Sequence, residues 1–331
     1  MTYTRCPVLA LVIAALFTST LANDKKDDDA KALVQRAMNA SAIREEGSAP
    51  FRLKANVKVI HDDGSILEGT YTETWVSNTR WRKEIVLGEF RRTQVVAGRK
   101  MWNSATSNVL PEHLADISAT FDPWFLLSGS WKADKFEDRQ VDGKAAHCFR
   151  AKRSRSGVSE LCFESATGVL TATIVPVQLG DRNVEGLCLY RGYQPLGDRV
   201  VPTSYSYFED KKPRLQAQIL ELKLHPPLDD SLFAPLPDAK ELVHCPTRAQ
   251  PPVPVHNVAP DLTRNSGVVR ISLVVGVDGR PHDLQVASSL DPASDNSALE
   301  AVRQWKFKPA ICEGEPIEVQ IAIDIDFRPL P

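Results

Sequence analysis

The side chains that could do chemistry are seven histidines, six cysteines and the adjacent carboxylates Asp62-Asp63 and Asp229-Asp230. The histidines stand at 61, 113, 147, 225, 244, 256 and 282. No two of them form His-Glu-x-x-His or a comparable ligand spacing, and no Cys-x-x-Cys pair could hold zinc or run thiol exchange. The chain has no Gly-x-Ser-x-Gly elbow, no phosphate-binding Gly-rich loop and no dinucleotide fingerprint. Both aspartate pairs lie in turn contexts, where short carboxylates serve local hydrogen bonding and solvation. The sequence therefore reads as non-enzymatic, with no catalytic residue, no metal site and no cofactor.

The cysteines suit structure better than reactivity. Cys148 and Cys162 flank a hairpin whose turn is Ser154-Arg155-Ser156-Gly157. With the loop centred on Arg155 the two lie directly opposite, close enough for a disulfide. Cys188, Cys245 and Cys312 leave an odd thiol. Pairing Cys245 with Cys312 would staple the linker to the last domain, but spacing alone does not choose it. Disulfides belong to an oxidising compartment.

A basic cluster, Arg80, Arg82, Lys83, Arg91, Arg92, Arg99 and Lys100, stands near Trp75, Trp81 and Trp102. Cations beside aromatic rings suit anionic headgroups or nucleic acid. Overall charge is balanced, 40 basic against 42 acidic residues, so no broad field points to nucleic acid. Alternation places these charges mostly on the outer face of a sheet, in solvent.

The elements that must position such residues begin with an export-type N-terminus. Arg5 precedes an apolar core, Val8 to Phe17, and Thr20-Leu21-Ala22 is a small-residue cleavage site before Asn23. The apolar run is shorter than the roughly 20 residues of a spanning helix, so residues 1–22 read as a signal peptide, the alternative being an uncleaved anchor. Asp27 to Ala42 is an amphipathic helix with Ala30, Leu33, Val34, Ala37 and Met38 on one face. Strands are expected at 51–60, 66–76, 80–86, 90–96 and 100–103, then at 135–141, 146–153, 158–164, 170–175, 186–193, 200–209 and 215–224. A helical turn is expected at 111–117. Residues 27–234 thus form one antiparallel β domain. Residues 235–256 are a proline-rich linker suited to extended spacing, and 257–331 a second domain.

In that second domain Val269, Ile271, Leu273, Val275 and Val277 alternate up to the Asp278-Gly279 turn. A two-residue turn there sets Leu273 opposite Leu284 and Ile271 opposite Val286. Ser294 to Gln304 is a helix with Ala298, Leu299, Val302 and Trp305 on one face. The last strand alternates without a break: Ile317, Val319, Ile321, Ile323, Ile325 and Phe327. The order is ββαβ, and Trp305 and Phe307 read as anchors of its core.

Gly267 to Val269, the Asp-Gly turn, Ser288-Ser289, the helix and Trp305-x-Phe307-x-Pro309-Ala310 occur in the order of TonB-family C-terminal domains, which this region resembles. The resemblance implies a periplasmic module that binds an outer-membrane transporter or another protein's peptide, in transmembrane transport, by adding it to the strand 317–327. The acidic outer residues of that strand would equally protect a bare edge. The family begins with a Tyr-Pro segment where this chain has Asn257-Val258-Ala259-Pro260. The family's N-terminal helix carries a histidine and meets an inner-membrane motor. Pro7 to Ala22 has no histidine, and a motor partner applies only if that segment is retained.

The first domain resembles the LolA/LolB lipoprotein carriers in Asp142-Gly143-Lys144 leading to Cys148, in Glu160 to Glu164, and in the closing run Pro227 to Phe233. That resemblance implies a mainly β, α+β architecture: a curved antiparallel half-barrel with helices across its mouth. It also makes a soluble carrier or sensor of lipid or lipoprotein acyl chains the alternative function. Leu53, Val57, Val59, Trp75, Trp81, Ile85, Leu126 and Leu127 would then line the concave face; a filled core explains them as well.

Overall fold

A computed structural model describes residues 9–327 except 62, 108, 110, 112, 115, 116, 118, 119, 125–129, 153–157, 180, 181, 246–248 and 262–264. Helix α1 runs Leu9–Ser41. Among the described residues no helix is long and apolar enough to cross a membrane. From residue 25 on its side chains follow the expected pattern: Ala30, Val34 and Ala37 are buried, with Leu33 and Met38 packed beside them.

Five strands follow as a meander: β1 (Phe51–Ile60), β2 (Ile66–Ser77), β3 (Arg80–Leu87), β4 (Phe90–Ala97) and β5 (Lys100–Ala105). A second series comprises β6 (Lys132–Val141), β7 (Lys144–Lys152), β8 (Val158–Glu164), β9 (Leu170–Leu179), β10 (Arg182–Arg191), β11 (Gln194–Leu196), β12 (Arg199–Val201), β13 (Ser204–Glu209) and β14 (Lys212–Leu224). The single strand expected at 200–209 is two strands, broken at Pro202, which has no amide hydrogen for a ladder. The meanders join where β1 pairs antiparallel with β14, from Phe51↔Leu224 to Val59↔Leu215.

With a short strand β15 (Lys240–Val243) added, the result is one 13-stranded sheet, ordered β15-β5-β4-β3-β2-β1-β14-β13-β10-β9-β8-β7-β6. Its inner face is covered by α1 and by described residues of 113–124, among them the buried Leu114, Ile117, Phe121 and Trp124. Strand β1 shows the alternation plainly: Phe51, Leu53, Ala55, Val57 and Val59 are all buried and point inward.

The terminal strand of that order, β15 (Lys240–Val243), comes from the proline-rich segment and pairs with β5. A second strand of the segment, β16 (Val253–His256), pairs with β19 (Lys306–Lys308). The stretch between the domains is therefore fastened at both ends. Between the two strands, Cys245 is joined to Cys312. His244 is fixed by its ring Nε2, 2.8 Å from the Asn78 carbonyl oxygen.

The last module contains β17 (Gly267–Val275), β18 (Pro281–Ser288), helix α2 (Pro292–Arg303), β20 (Ala310–Cys312), β21 (Glu315–Ile317) and β22 (Val319–Phe327). Its main sheet has the order β18-β17-β22. The core is Val269, Ile271, Leu273, Val275, Ala298, Val302, Phe307, Ile325 and Phe327. Asp291 caps α2: its carboxylate accepts from the Ala293 and Ser294 amides at 2.9 and 3.1 Å. The Ser294 hydroxyl, the Asn265 amide and these backbone donors hold the carboxyl at about 2.

The hairpin register is half as expected. Ile271 does face Val286 and Ser272 faces Gln285, as that register requires, but Val274 faces His282. The turn spans Gly276 to Arg280, whose carbonyl accepts the Gly276 amide at 3.0 Å. A bulge around Asp283 (φ 52°) absorbs the difference and displaces Leu284 from its place opposite Leu273. Gly279 (φ 76°) is required twice: a Cβ there would stand 2.0 Å from the Phe307 carbonyl oxygen. That approach lets the Phe307 amide donate to the Gly279 carbonyl at 2.9 Å, seating the turn on the Trp-x-Phe segment.

Converting both Cys245 and Cys312 to serine opens a 67-residue span. Loop-closure entropy puts the expected loss of stability at about 4 kcal/mol in denaturant unfolding. Leu273→Ala, at a position with no exposure, should cost about 3–5 kcal/mol, chiefly in the last module.

Candidate functional site

The last module presents a bare strand edge. β22 pairs with β17 in unbroken register, from Gly267↔Phe327 to Val275↔Val319, and among the described residues no strand lies on its other side. Val319, Ile321, Ile323, Ile325 and Phe327 face the α2 core, where Ile325 and Phe327 are buried and the other three half-buried. Ile317 is placed elsewhere. It lies in β21, opposite Ala310, in a small core with Cys312. On the opposite face Asp324 takes two bonds from Arg270, 2.7 and 3.0 Å long.

The other edges of the two large sheets are blunted in recognisable ways. β18 is bulged at Asp283. β6 is bulged between Asp134 and Glu137, with Lys135 at φ 50°, and its outer residues are mostly exposed. β15 has four residues. β22, nine residues in even register, is the long flat edge.

Trp305 and Phe307 do anchor the core. Phe307 is buried, Trp305 packs beside it, and the indole N–H donates to the Val258 carbonyl at 2.9 Å. That bond fixes the segment 257–260, where the tyrosine of the family pattern is missing.

In the first domain the expected ligand-lining residues form packed core. Leu53, Val57, Val59, Trp75 and Ile85 are at most 4% exposed, and Trp81 packs against them. Leu126 and Leu127 lie outside the described residues. Beneath Phe121 and Trp124 a cavity of about 20 Å³ has Leu53, Arg44 and Tyr205 in its walls, room for about one water. A larger open cleft, about 530 Å³, lies between the rim of the sheet and the last module, lined by residues of both.

The inner face also carries charge. Glu73, fully buried on β2, is bonded by Arg44 through Nη2 and through Nε at 3.2 Å, and by the Tyr71 hydroxyl at 2.9 Å. Lys83 stands 3.7 Å away. Arg44 Nη1 also donates to the Phe121 carbonyl at 2.6 Å, tying the covering segment to the sheet. Burial alone would raise the Glu73 carboxyl, yet the Arg44 and Lys83 charges and these bonds hold it down to about 2.

Alternation placed the basic cluster mostly outward, and the structure divides it. Arg82 and Arg80 lie outside, where Arg82 donates to the Leu232 carbonyl at 3.1 Å and Arg80 stacks on Phe233. Lys83 and Arg92 point inward, opposite Glu73 and Ile85 respectively. Which face of a strand is inner depends on what covers the sheet, and long cationic side chains occupy either face.

Cys148 is joined to Cys162 directly across β7 and β8, as expected, while Cys188 is a buried thiol outside both disulfides. Among the described residues, Cys148, Glu160 and Cys162 are spaced as metal ligands would be. Both sulfurs are spent in the disulfide, so that group offers no thiolate.

Residues 261–329 match the family model described as Gram-negative bacterial TonB protein C-terminal. The protein TonB of Vibrio cholerae is 49% identical over 43 residues, 13% of this chain. The chain covers only 18% of that relative's length. Among solved structures, a LolA superfamily protein from Nitrosomonas europaea aligns over 62% of this chain and 96% of its own, at 12% identity and a TM-score of 0.40. A putative outer membrane lipoprotein-sorting protein domain from Vibrio parahaemolyticus aligns over 61% and 94%, at 10% identity and 0.41. Likeness at this level assigns no function. Residues 261–329 are thus similar to the TonB C-terminal family, and a large antiparallel β domain precedes them.

The Arg44–Glu73 pair gives a pH test. The Glu73 carboxyl is near 2 when folded against an ordinary 4.5. Its contribution is complete above 4.5, fades as pH falls toward 2, and amounts to about 3 kcal/mol. Melting followed between pH 7 and 3 should show Glu73→Gln flattening the acid limb. Arg44→Met should cost about 3–5 kcal/mol at pH 7, because it strands a buried carboxylate.

Proposed function

We propose that this chain is a non-enzymatic periplasmic protein of the TonB type. It binds an outer-membrane transporter, or a peptide of another periplasmic protein, by strand addition along β22. The observation that carries the reading is the contrast among edges: β22 is long and even, with no strand on its outer side among the described residues, while its competitors are bulged or short. An extended peptide there would complete the backbone ladder, and its alternate side chains would meet the half-buried Ile321 and Ile323.

The first domain then serves as a rigid platform. Pairing of β15 with β5, the Cys245–Cys312 bridge and ion pairs from Lys240 to Glu318 (3.0 Å) and Arg99 to Glu313 (3.7 Å) fix the module to the sheet. A carrier of acyl chains needs an open apolar concavity, and the inner face around Leu53, Val57 and Val59 is filled. The edge strand is therefore the better-supported binding surface.

Consecutive amides in a strand point to opposite edges. Of Ile321→Pro and Ala322→Pro, one removes a donor from the free edge and the other from the β17 ladder, and thermal melting separates them. The variant that keeps its stability should lose partner binding by tenfold or more, about 1.4 kcal/mol. A photo-crosslinker at 322 in cells should yield adducts with outer-membrane transporters. Adducts from position 285 on β18 with none from 322 would sink the assignment.

A further inference from the structure

The outer face of the large sheet carries a cleft of its own, away from both edges. The chain beyond β14 turns back over β3 and β4 in a short 3-10 turn, Asp230–Phe233. Arg80 fastens that turn to the sheet through Asp230 and Phe233, and Arg82 through the Leu232 carbonyl. Beside it, over β14, β1, β2 and β3, opens a space of about 460 Å³, the size of a small-molecule site. Such sites are mostly apolar. Among the described residues in this wall Leu232 is the one apolar side chain, so the space suits a hydrophilic occupant.

Strand register lays its floor out in two rows. The first runs Lys223, Arg52, Thr74 and Arg82, from β14 through β1 and β2 to β3. Two strand spacings set the arginine backbones about 10 Å apart, with a short threonine between them. The second row runs Glu221, Lys54, Thr72 and Glu84. Four cations against two carboxylates leave the floor positive by two. Both carboxylates already serve a cation of the first row: Glu84 holds Arg82, and Glu221 lies 3.2 Å from Lys223. Among the described residues Arg52 and Lys54 form no ion pair. Arg82 spends three of its five N–H groups, on Glu84 and Leu232.

Thr74 is 4% exposed and lines the cleft, and among the described residues no hydrogen bond takes up its hydroxyl. A buried hydroxyl set between two guanidinium groups is a donor set for an oxyanion. One row away Glu84 and Glu221 keep spare lone pairs, which accept from hydroxyl groups.

We propose that this cleft binds a phosphorylated sugar: the phosphate sits over Thr74 between Arg52 and Arg82, and the sugar hydroxyls reach Thr72 and the carboxylates of Glu84 and Glu221. The site is separate from strand addition at β22, and either stands without the other.

The test titrates the full chain calorimetrically with glucose 6-phosphate, glucose, glycerol 3-phosphate and inorganic phosphate. Glucose 6-phosphate should bind about tenfold or more tightly than each of the other three. Arg52→Gln and the near-isosteric Thr74→Val should each weaken it about tenfold. Thr74→Val should melt with the parent, since its hydroxyl holds nothing in the protein. Lys58→Gln, on the outer face of β1 beyond the cleft and paired with Glu68, should leave the affinity unchanged. Inorganic phosphate binding as tightly as glucose 6-phosphate would mean an adventitious ion only, and glycerol 3-phosphate doing so would assign the site to a lipid headgroup. Equal affinity for glucose would remove the phosphate seat. Each of these overturns the proposal, as does the absence of binding. So does an equal loss in Lys58→Gln and Arg52→Gln, the mark of diffuse surface charge, or parental affinity in Thr74→Val.

Discussion

The structure depends on one long-range constraint, the pairing of β1 with β14 across more than 150 residues of chain. Either meander alone would leave β1 or β14 as a bare edge. Joined, they place β1 in the middle of a continuous sheet, and its inward residues become the floor of the core. Closing so long a loop costs entropy that grows only slowly with length. The apolar side chains of β1, buried in one core with residues of α1 and with Leu114, Ile117, Phe121 and Trp124, offset it. Everything inside the half-barrel is positioned from that seam.

The inner face shows how the same physics can settle a charge or leave it unsettled. Glu73 is buried completely, yet its lone pairs are met by Arg44 and Tyr71, with Lys83 beside them. Such a network rigidifies because removing any member strands the others. Arg92, two strands away, has an amide oxygen and, among the described residues, no carboxylate.

At the C-terminal end, order is imposed from outside the module as well as within. The Asp278-Gly279 turn is seated on Phe307, and Trp305 holds the chain at Val258. The segment leading into the module is paired at β15, bridged at Cys245 and paired again at β16. The long flat strand β22 is thus presented on a fixed base. A flexible spacer would let the edge search a wide volume; this arrangement presents it in one orientation.

By itself the sequence determined the local elements, because period-two alternation and turn residues are local properties. The alternation of Phe51 to Val59 and of Val319 to Phe327, the amphipathic faces of α1 and α2, and the opposition of Cys148 to Cys162 were all legible this way. The TonB-like order of elements from Gly267 to Ala310 was legible too. Tertiary structure alone decided which distant strands meet, as at β1 and β14, because pairing partners leave no mark in a single strand. It decided that Lys240–Val243 joins the big sheet, since four half-apolar residues amid prolines carry no periodic signal. It turned Lys83 and Arg92 inward and moved Ile317 off the edge strand. In each case alternation defines two faces or two neighbours, and only the packing of the whole chain says which one is covered.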